Sequence, residues 1–353
     1  MTSLERCHAV LNGEIPDTLP VVPQCFLLAV ETAGFRIGDI NRNGKLMAKA
    51  HVISQEKYGY DGCVIDFDVA SMAEALGAKV IFRADEPAIV NEDEPVLKDL
   101  RDIYSLDDPD PFKVGRLCEW LEATRRLVDE IGDHVFVMGR ADQGPFSIAC
   151  MLRGTTQFMM DLITEDKKLI ADVLEYCRKA AAIFAKAQKD AGAHATSIGD
   201  SLAGPSMISP EMYREFALEP ETLLVKEVQE DYGIPFSIHI CGNTNAIIGD
   251  MAATGAKILE VDWKLDLQKA LGAVPLSTVL MGNLDTSFPL VLGTPKDVEE
   301  AVKNLIAVTK GRSLFISSGC AMGRNTPPEN FMAFVVAARK YGSYEEIIKL
   351  LNQ

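Results

Sequence analysis

Short apolar runs recur along this chain, separated by longer stretches whose apolar residues repeat every three or four positions. Val135–Met138, Ala195–Ile198, Phe236–Ile240, Ile258–Val261, Thr278–Met281 and Leu314–Ser317 are short, rich in Val and Ile, and bounded by Gly or polar residues. That is the pattern of strands buried on both faces of a parallel sheet. Pro20–Pro23 and Gly62–Phe67 fit the same role and bring the strands to eight. Helical periodicity fills the gaps. Gln157–Asp190 reads as one long helix, or as two with Thr164 capping the second. Ser209-Pro210 and Thr294-Pro295 each pair an N-cap with Pro at the first helical position. The first of these helices runs through Tyr213, Phe216 and Leu223–Val228, and Pro220 predicts a break in it. Ala246–Ala253 is a short helix closed by Gly255; Pro295–Val308 ends near Gly311, and Pro328–Tyr341 at Gly342.

Eight strands alternating with helices predict an α/β fold, a (β/α)8 TIM barrel. An open doubly wound sheet is the alternative. A helical extension precedes the barrel. Ala78–Ser105 breaks the pattern: it is acidic, carries Pro87 and Pro95, and is strand-like at Val80–Phe82 and Ala88–Val90. It reads as an excursion between strands two and three. Cutting the chain at the turn Asp107-Asp108-Pro109-Asp110-Pro111 would strand two strands on one side, so residues 1–353 are taken as one domain.

Composition narrows the partners. Lys and Arg total 35 against 51 Asp and Glu, a net charge of −16. An indiscriminate nucleic-acid binder needs a cationic surface, so no nucleic-acid role is expected. No apolar run is long enough to span a bilayer, and Met1–Leu19 lacks the apolar core of a signal peptide. The chain reads as cytoplasmic, with no membrane partner. Eight cysteines in 353 residues are too sparse for a disulfide scaffold.

Candidate chemistry gathers at strand ends. Strand Phe236–Ile240 runs into His239-Ile240-Cys241-Gly242-Asn243, and Leu314–Ser317 into Ser318-Gly319-Cys320. In a barrel, the C-terminal strand ends converge on one face. Residues two apart in a strand share a side, so His239 and Cys241 can point at one ion. One nitrogen and two sulfur ligands suit Zn²⁺ and leave a fourth position open. The bland reading is ordinary buried cysteines beside a chance His. Acids also sit at strand ends: Asp66, Asp68, Asp142, Asp200, Glu260, Asp262 and Asp285. Each is a candidate ligand, base, second partner of His239 or helix N-cap; Asp68 and Asp200 are preferred as catalytic. Arg140 offers a cation at the barrel mouth. Gly144-Pro145-Phe146 enters a helix whose N-terminus is suited to an anion.

Over almost its full length the chain resembles the uroporphyrinogen decarboxylase superfamily. The matching segments occur in family order: Asp68–Gly77, Gly144–Ala149, Asp200–Gly204 before Ile208–Glu211, His239–Thr244, Gly282–Asp285, and Gly319-Cys320 ahead of Thr326–Asn330. The resemblance implies the (β/α)8 fold. The true decarboxylase carries Arg-Gln-Ala-Gly-Arg after its first strand, to hold an acidic porphyrinogen. Here Pro23–Glu31 contains no Arg, which argues against that substrate. The cobamide-dependent methyltransferase branch, including methylcobamide:coenzyme M methyltransferases, uses a His-x-Cys…Cys zinc site, which His239, Cys241 and Cys320 match. What this branch implies is a zinc-dependent methyltransferase moving a methyl group between a corrinoid protein and a small partner such as a thiol. Asp142, Gln143, Asn243 and Asn283 are the corresponding cofactor-binding candidates, and methylcobamide is carried by the separate protein. The alternatives are a substrate-side enzyme that demethylates a methoxylated or methylated compound onto the corrinoid, a decarboxylase, and a noncatalytic docking scaffold. A homodimer is compatible with the resemblance, though no residue argues for it.

Overall fold

The computed structural model describes residues 1–352. Its strands are β1 (Gly62–Val64), β2 (Val80–Arg83), β3 (Glu86–Val90), β4 (Phe136–Met138), β5 (Thr196–Gly199), β6 (Phe236–Ile240), β7 (Ile258–Val261), β8 (Val279–Leu284) and β9 (Leu314–Ser318). Strands β5 to β9 lie side by side in chain order, all parallel. β1 and β4 form a second parallel pair. A bridge between Met138 and Ala195 joins β4 to β5, and one between Val21 and Ile316 joins residues 20–22 to β9. The Val21 carbonyl also accepts from Asp61 N at 2.7 Å and Gly62 N at 3.2 Å, beside β1. The ring thus closes through residues 20–22 as a distorted (β/α)8 barrel, and the open sheet is excluded. That first strand is minimal because Pro20 and Pro23 bracket Val21-Val22 and neither offers an N–H to a ladder.

The helical extension is Ser3–Leu11, started by a capping box between Thr2 and Glu5. Its Cys7, Val10 and Leu11 pack with Val22, Phe136 and Phe315 of the barrel interior. Leu4 N also donates to His134 O at 2.8 Å, just ahead of β4. The helix therefore plugs the N-terminal end of the barrel and leaves the other end for chemistry. The excursion is an antiparallel hairpin of β2 and β3, between β1 and β4 as expected.

Two local expectations are corrected. The Gln157–Asp190 stretch does divide, into Thr155–Thr164 and Lys167–Asp190, but Asp166 caps the second helix. Asp166 accepts from Lys168 N and Leu169 N, whereas the Thr164 hydroxyl donates back to Met160 O at 3.0 Å and stays with the first helix. Pro220 does not break its helix. Helical structure continues from Pro210 to Asp231 with wide π turns at Tyr213–Ala217 and Lys226–Asp231. The wider turn just before Pro220 makes room for a ring that would clash in a regular α-helix. No helix among the described residues is long and apolar enough to cross a membrane.

Candidate metal centre at the barrel mouth

β6 places His239 and Cys241 on one side, as the two-residue repeat demands. β9 delivers Cys320 three strands away in the sheet. The His239 Nε2 lies 3.0 Å from Cys241 Sγ and 3.8 Å from Cys320 Sγ, and the two sulfurs are 3.4 Å apart. All eight cysteines are free thiols. Two glycines permit this approach. Gly242 turns the chain after Cys241 at φ 88°, a conformation that L side chains resist. At Gly319, a Cβ would come within 2.4 Å of Trp263 N, so only hydrogen fits beside Cys320.

The surroundings orient these ligands. The His239 Nδ1 is 3.2 Å from Glu260 O, so an Nδ1–H donating there leaves the Nε2 lone pair toward the sulfurs. Cys241 N donates to Ser201 Oγ at 3.2 Å, and Gly242 N to Asp262 Oδ2 at 2.9 Å. The hydrogen bond from Cys320, then the field of His239, pulls the Cys241 thiol far below its ordinary pKa despite burial. The same sulfur–sulfur contact, with burial, pushes Cys320 up. Burial works against charging His239, but the neighbouring Cys241 thiolate more than offsets it and raises the imidazole. A tetrahedral zinc with Zn–S near 2.3 Å and Zn–N near 2.0–2.1 Å has ligand–ligand edges of about 3.6–3.8 Å. The observed triangle lies within about 0.6 Å of those edges, its shortest side being His239 Nε2 to Cys241 Sγ, so small side-chain shifts let the three residues fit a zinc ion.

All three ligand residues line a cavity of about 720 Å³, whose walls include Phe26, Phe67, Ile89, Leu202 and Met322. The β2–β3 hairpin thus supplies part of the wall through Pro87, Ala88 and Ile89. Asp66, Asp68, Arg140 and Gln143 also line it. Arg140 is a buried cation held between Glu260 and Asp66. Asp68 accepts from Ala70 N at 2.8 Å and is clamped by both terminal nitrogens of Arg116. Burial raises the Asp66 carboxyl to about 8.

The remaining candidates lie outside that lining. Asp142 is fully buried at φ 61° and accepts from Met72 N at 2.6 Å; burial, then Asp68, raises it to about 7. Asp200 is fully buried, and its oxygens accept from Phe146 N at 3.2 Å and Ser147 N at 2.7 Å. The helix N-terminus at Gly144-Pro145-Phe146 therefore meets an anion from its own chain. Asn243 is exposed and hydrogen-bonds Asn245. Asn283 braces the loop after β7 through Asp262 O at 3.1 Å and Leu265 O at 3.2 Å. Asp285 accepts from Ser287 N in a turn.

The family model for uroporphyrinogen decarboxylase (URO-D) matches residues 2–341. The chain belongs to the uroporphyrinogen decarboxylase family. Within that family it is 29% identical over 349 residues to the methylcobamide:CoM methyltransferase MtbA of Methanosarcina mazei, covering 96% of this chain and 98% of the relative. It is 25% identical over 297 residues to the uroporphyrinogen decarboxylase of Prochlorococcus marinus, covering 82% and 80%. A solved methyltransferase from Methanosarcina mazei superposes with a TM-score of 0.88 at 26% identity, covering 97% of this chain and 99% of that one. The family barrel here also contains a residue that sequence reasoning passed over. Arg116 joins Asp68 to Glu74 while only 1% exposed. The available signal was its position: Arg116 is the N-cap of Leu117–Ile131, where a cation opposes the helix dipole unless a carboxylate compensates.

Proposed function

We propose that this chain is a zinc- and corrinoid-dependent methyltransferase, acting between a corrinoid protein and a small thiol. The convergence of His239, Cys241 and Cys320 within 4.8 Å of one another at the cavity carries the reading. Relatives that cover nearly the whole chain are methylcobamide:CoM methyltransferases. When bound, zinc ionises a thiol at neutral pH and so makes it a nucleophile toward a methyl group.

The chain's own residues prepare that event. His239 offers Nε2 because Glu260 O occupies Nδ1. Ser201 and Asp262 fix the backbone on either side of the Cys241 thiol. Three protein ligands leave one position for the substrate sulfur. Phe26, Phe67 and Met322 keep the surroundings apolar, which weakens solvation of the nucleophile. Asp68, held by Arg116, and Gln143 are among the polar residues of the cavity wall. Eight free thiols suit a reducing cytoplasm.

Zinc content by plasma mass spectrometry, on wild type beside Cys241→Ser and Cys320→Ser, tests the centre. About one zinc per wild-type chain and a tenfold or greater loss in both variants is expected. Loss of the methylcobalamin absorbance upon thiol addition tests the activity. Metal-free wild type after metal-supplemented purification would sink the proposal and leave the metal-independent decarboxylase reading.

A further inference from the structure

One side of the cavity wall is built differently from the rest. Residues 80–90 contribute Pro87, Ala88 and Ile89 to it. Yet, among the described residues, none of that hairpin joins either apolar core of the barrel. Ala88 is buried, but Ile81, Phe82 and Ile89 are exposed. A two-stranded ribbon has little stability of its own and draws it from what it packs against.

The base of the hairpin is firm. Ala78 N donates to Ala73 O at 2.8 Å, and Glu92 accepts from Thr155 N and Oγ1, both at 2.9 Å. Asn91 N donates to Lys79 O at 2.8 Å and closes the ribbon beside these anchors. The other end is held by surface contacts. At the turn, Ala84 O accepts from Gly38 N at 3.0 Å, and Asp85 O from Arg324 Nη1 at 2.7 Å. Arg324 also gives Nε to Glu31 at 2.7 Å, and both side chains of that pair are exposed. Arg42 and Arg116 lie over the Phe82 ring, 4.7 and 5.0 Å from its centre. Exposed pairs and stacks of this kind each contribute little, so the tip is the part of the wall that opens at least cost.

These holds also reach the metal centre. Arg324 follows Cys320 by four positions and lines the cavity itself. Met322 N, between the two, donates to Gln24 O at 2.8 Å. One side chain thus ties the loop that supplies a zinc ligand to the turn that covers the cavity. Arg116, under Phe82, in turn clamps Asp68 in the cavity wall.

We propose that the β2–β3 hairpin is a lid on the metal cavity, hinged at Lys79 and Asn91 and latched by Arg324 and Phe82, and that it lifts to let a bulky partner reach His239, Cys241 and Cys320. Closed, the cavity of about 720 Å³ suits a small molecule. Lifted, it presents the same three ligands to something larger. The lid is a property of the cavity and holds whichever methyl acceptor fills it.

Hydrogen exchange of the zinc-loaded protein, read by mass spectrometry, follows the lid directly. Arg324→Gln and Phe82→Ala should each speed exchange across residues 80–90 about threefold or more and leave β5 to β9 unchanged. Thiol labelling of the metal-free full chain, mapped by peptide, follows the gate. A polyethylene-glycol maleimide should modify Cys241 and Cys320 about threefold or more faster in both variants, while iodoacetamide, small enough for the closed state, changes little. Arg324→Lys, which keeps a cation beside Glu31, should fall between wild type and Arg324→Gln. Unchanged exchange in both variants would show that these residues are no latch. Faster exchange without faster bulky labelling would show that the hairpin does not gate the site. Either result overturns the proposal, as does equal acceleration of both reagents, which would mean general loosening of the barrel.

Discussion

Single residues carry two sharp consequences. His51 is fully buried, and neither ring nitrogen has a hydrogen-bond partner among the described residues. Burial lowers its pKa from 6.5 to about 4. The unfolded chain therefore binds a proton that the fold refuses in this window. Stability should fall as pH drops from about 6.5 toward 4, by about 3 kcal/mol in total for this residue. His51→Leu should remove that slope in urea unfolding of metal-free protein at pH 4.5 and 7.5. Asp66 and Asp142 act with the opposite sign. Protonated in the fold up to about 8 and about 7, they lose stability as pH rises from the ordinary carboxylate range through those values. The second consequence concerns Arg116. Arg116→Met would leave the buried Asp68 without its cation and Glu74 with Arg42 alone. A loss of about 3–5 kcal/mol is expected in denaturant unfolding, and adding Asp68→Asn should recover part of it. Arg116 was hard to see in sequence because its meaning depends on a partner 48 positions away.

Elements were more legible than the contacts between them. Phe236–Ile240 and Ile258–Val261 coincide with β6 and β7, since a short Val/Ile run between polar residues has one good home in a closed barrel. Pro328–Tyr341 also matches, because Pro at the start and Gly at the end mark both boundaries. The metal ligands were visible for the same reason: strand direction alone brings His239, Cys241 and Cys320 to one end. Residues 20–22 could be named as a strand, but not as one held by so few hydrogen bonds. Asp200 shows where local reading stops. The helix it caps, Pro145–Arg153, lies far from it in sequence. Asp200→Ala should cost about 2–3 kcal/mol in urea unfolding, because two buried N–H groups lose an ionic acceptor. Gly144→Ala should also destabilise, since its Cβ would fall 2.4 Å from Asp200 Oδ2. Zinc content should survive in both variants if they fold.

Across the whole molecule, stability and chemistry sit at opposite ends. The Ser3–Leu11 helix closes the barrel at one end, and the ligands open on the other. Deleting residues 1–12 should uncover Val22, Phe136 and Phe315, lower Tm by several degrees and raise binding of a hydrophobic dye. Zinc affinity, measured by chelator competition below the new Tm, should change far less. The −16 charge gives a further handle. Its self-repulsion weakens the compact state, so moderate salt should raise Tm even before any ligand is added.

Gly319 gives this separation a history. Every neighbour that forbids a Cβ there belongs to the backbone of Asp262 and Trp263, which cannot swing aside. A mutation that brings in any larger residue must move Cys320 away from its two companions, while the strand ladder of β9 has no reason to part. A descendant lineage could thus surrender the ion in a single inherited step and keep the barrel, its plug and its cavity. Such a chain would be free to take up chemistry that asks only for a pocket.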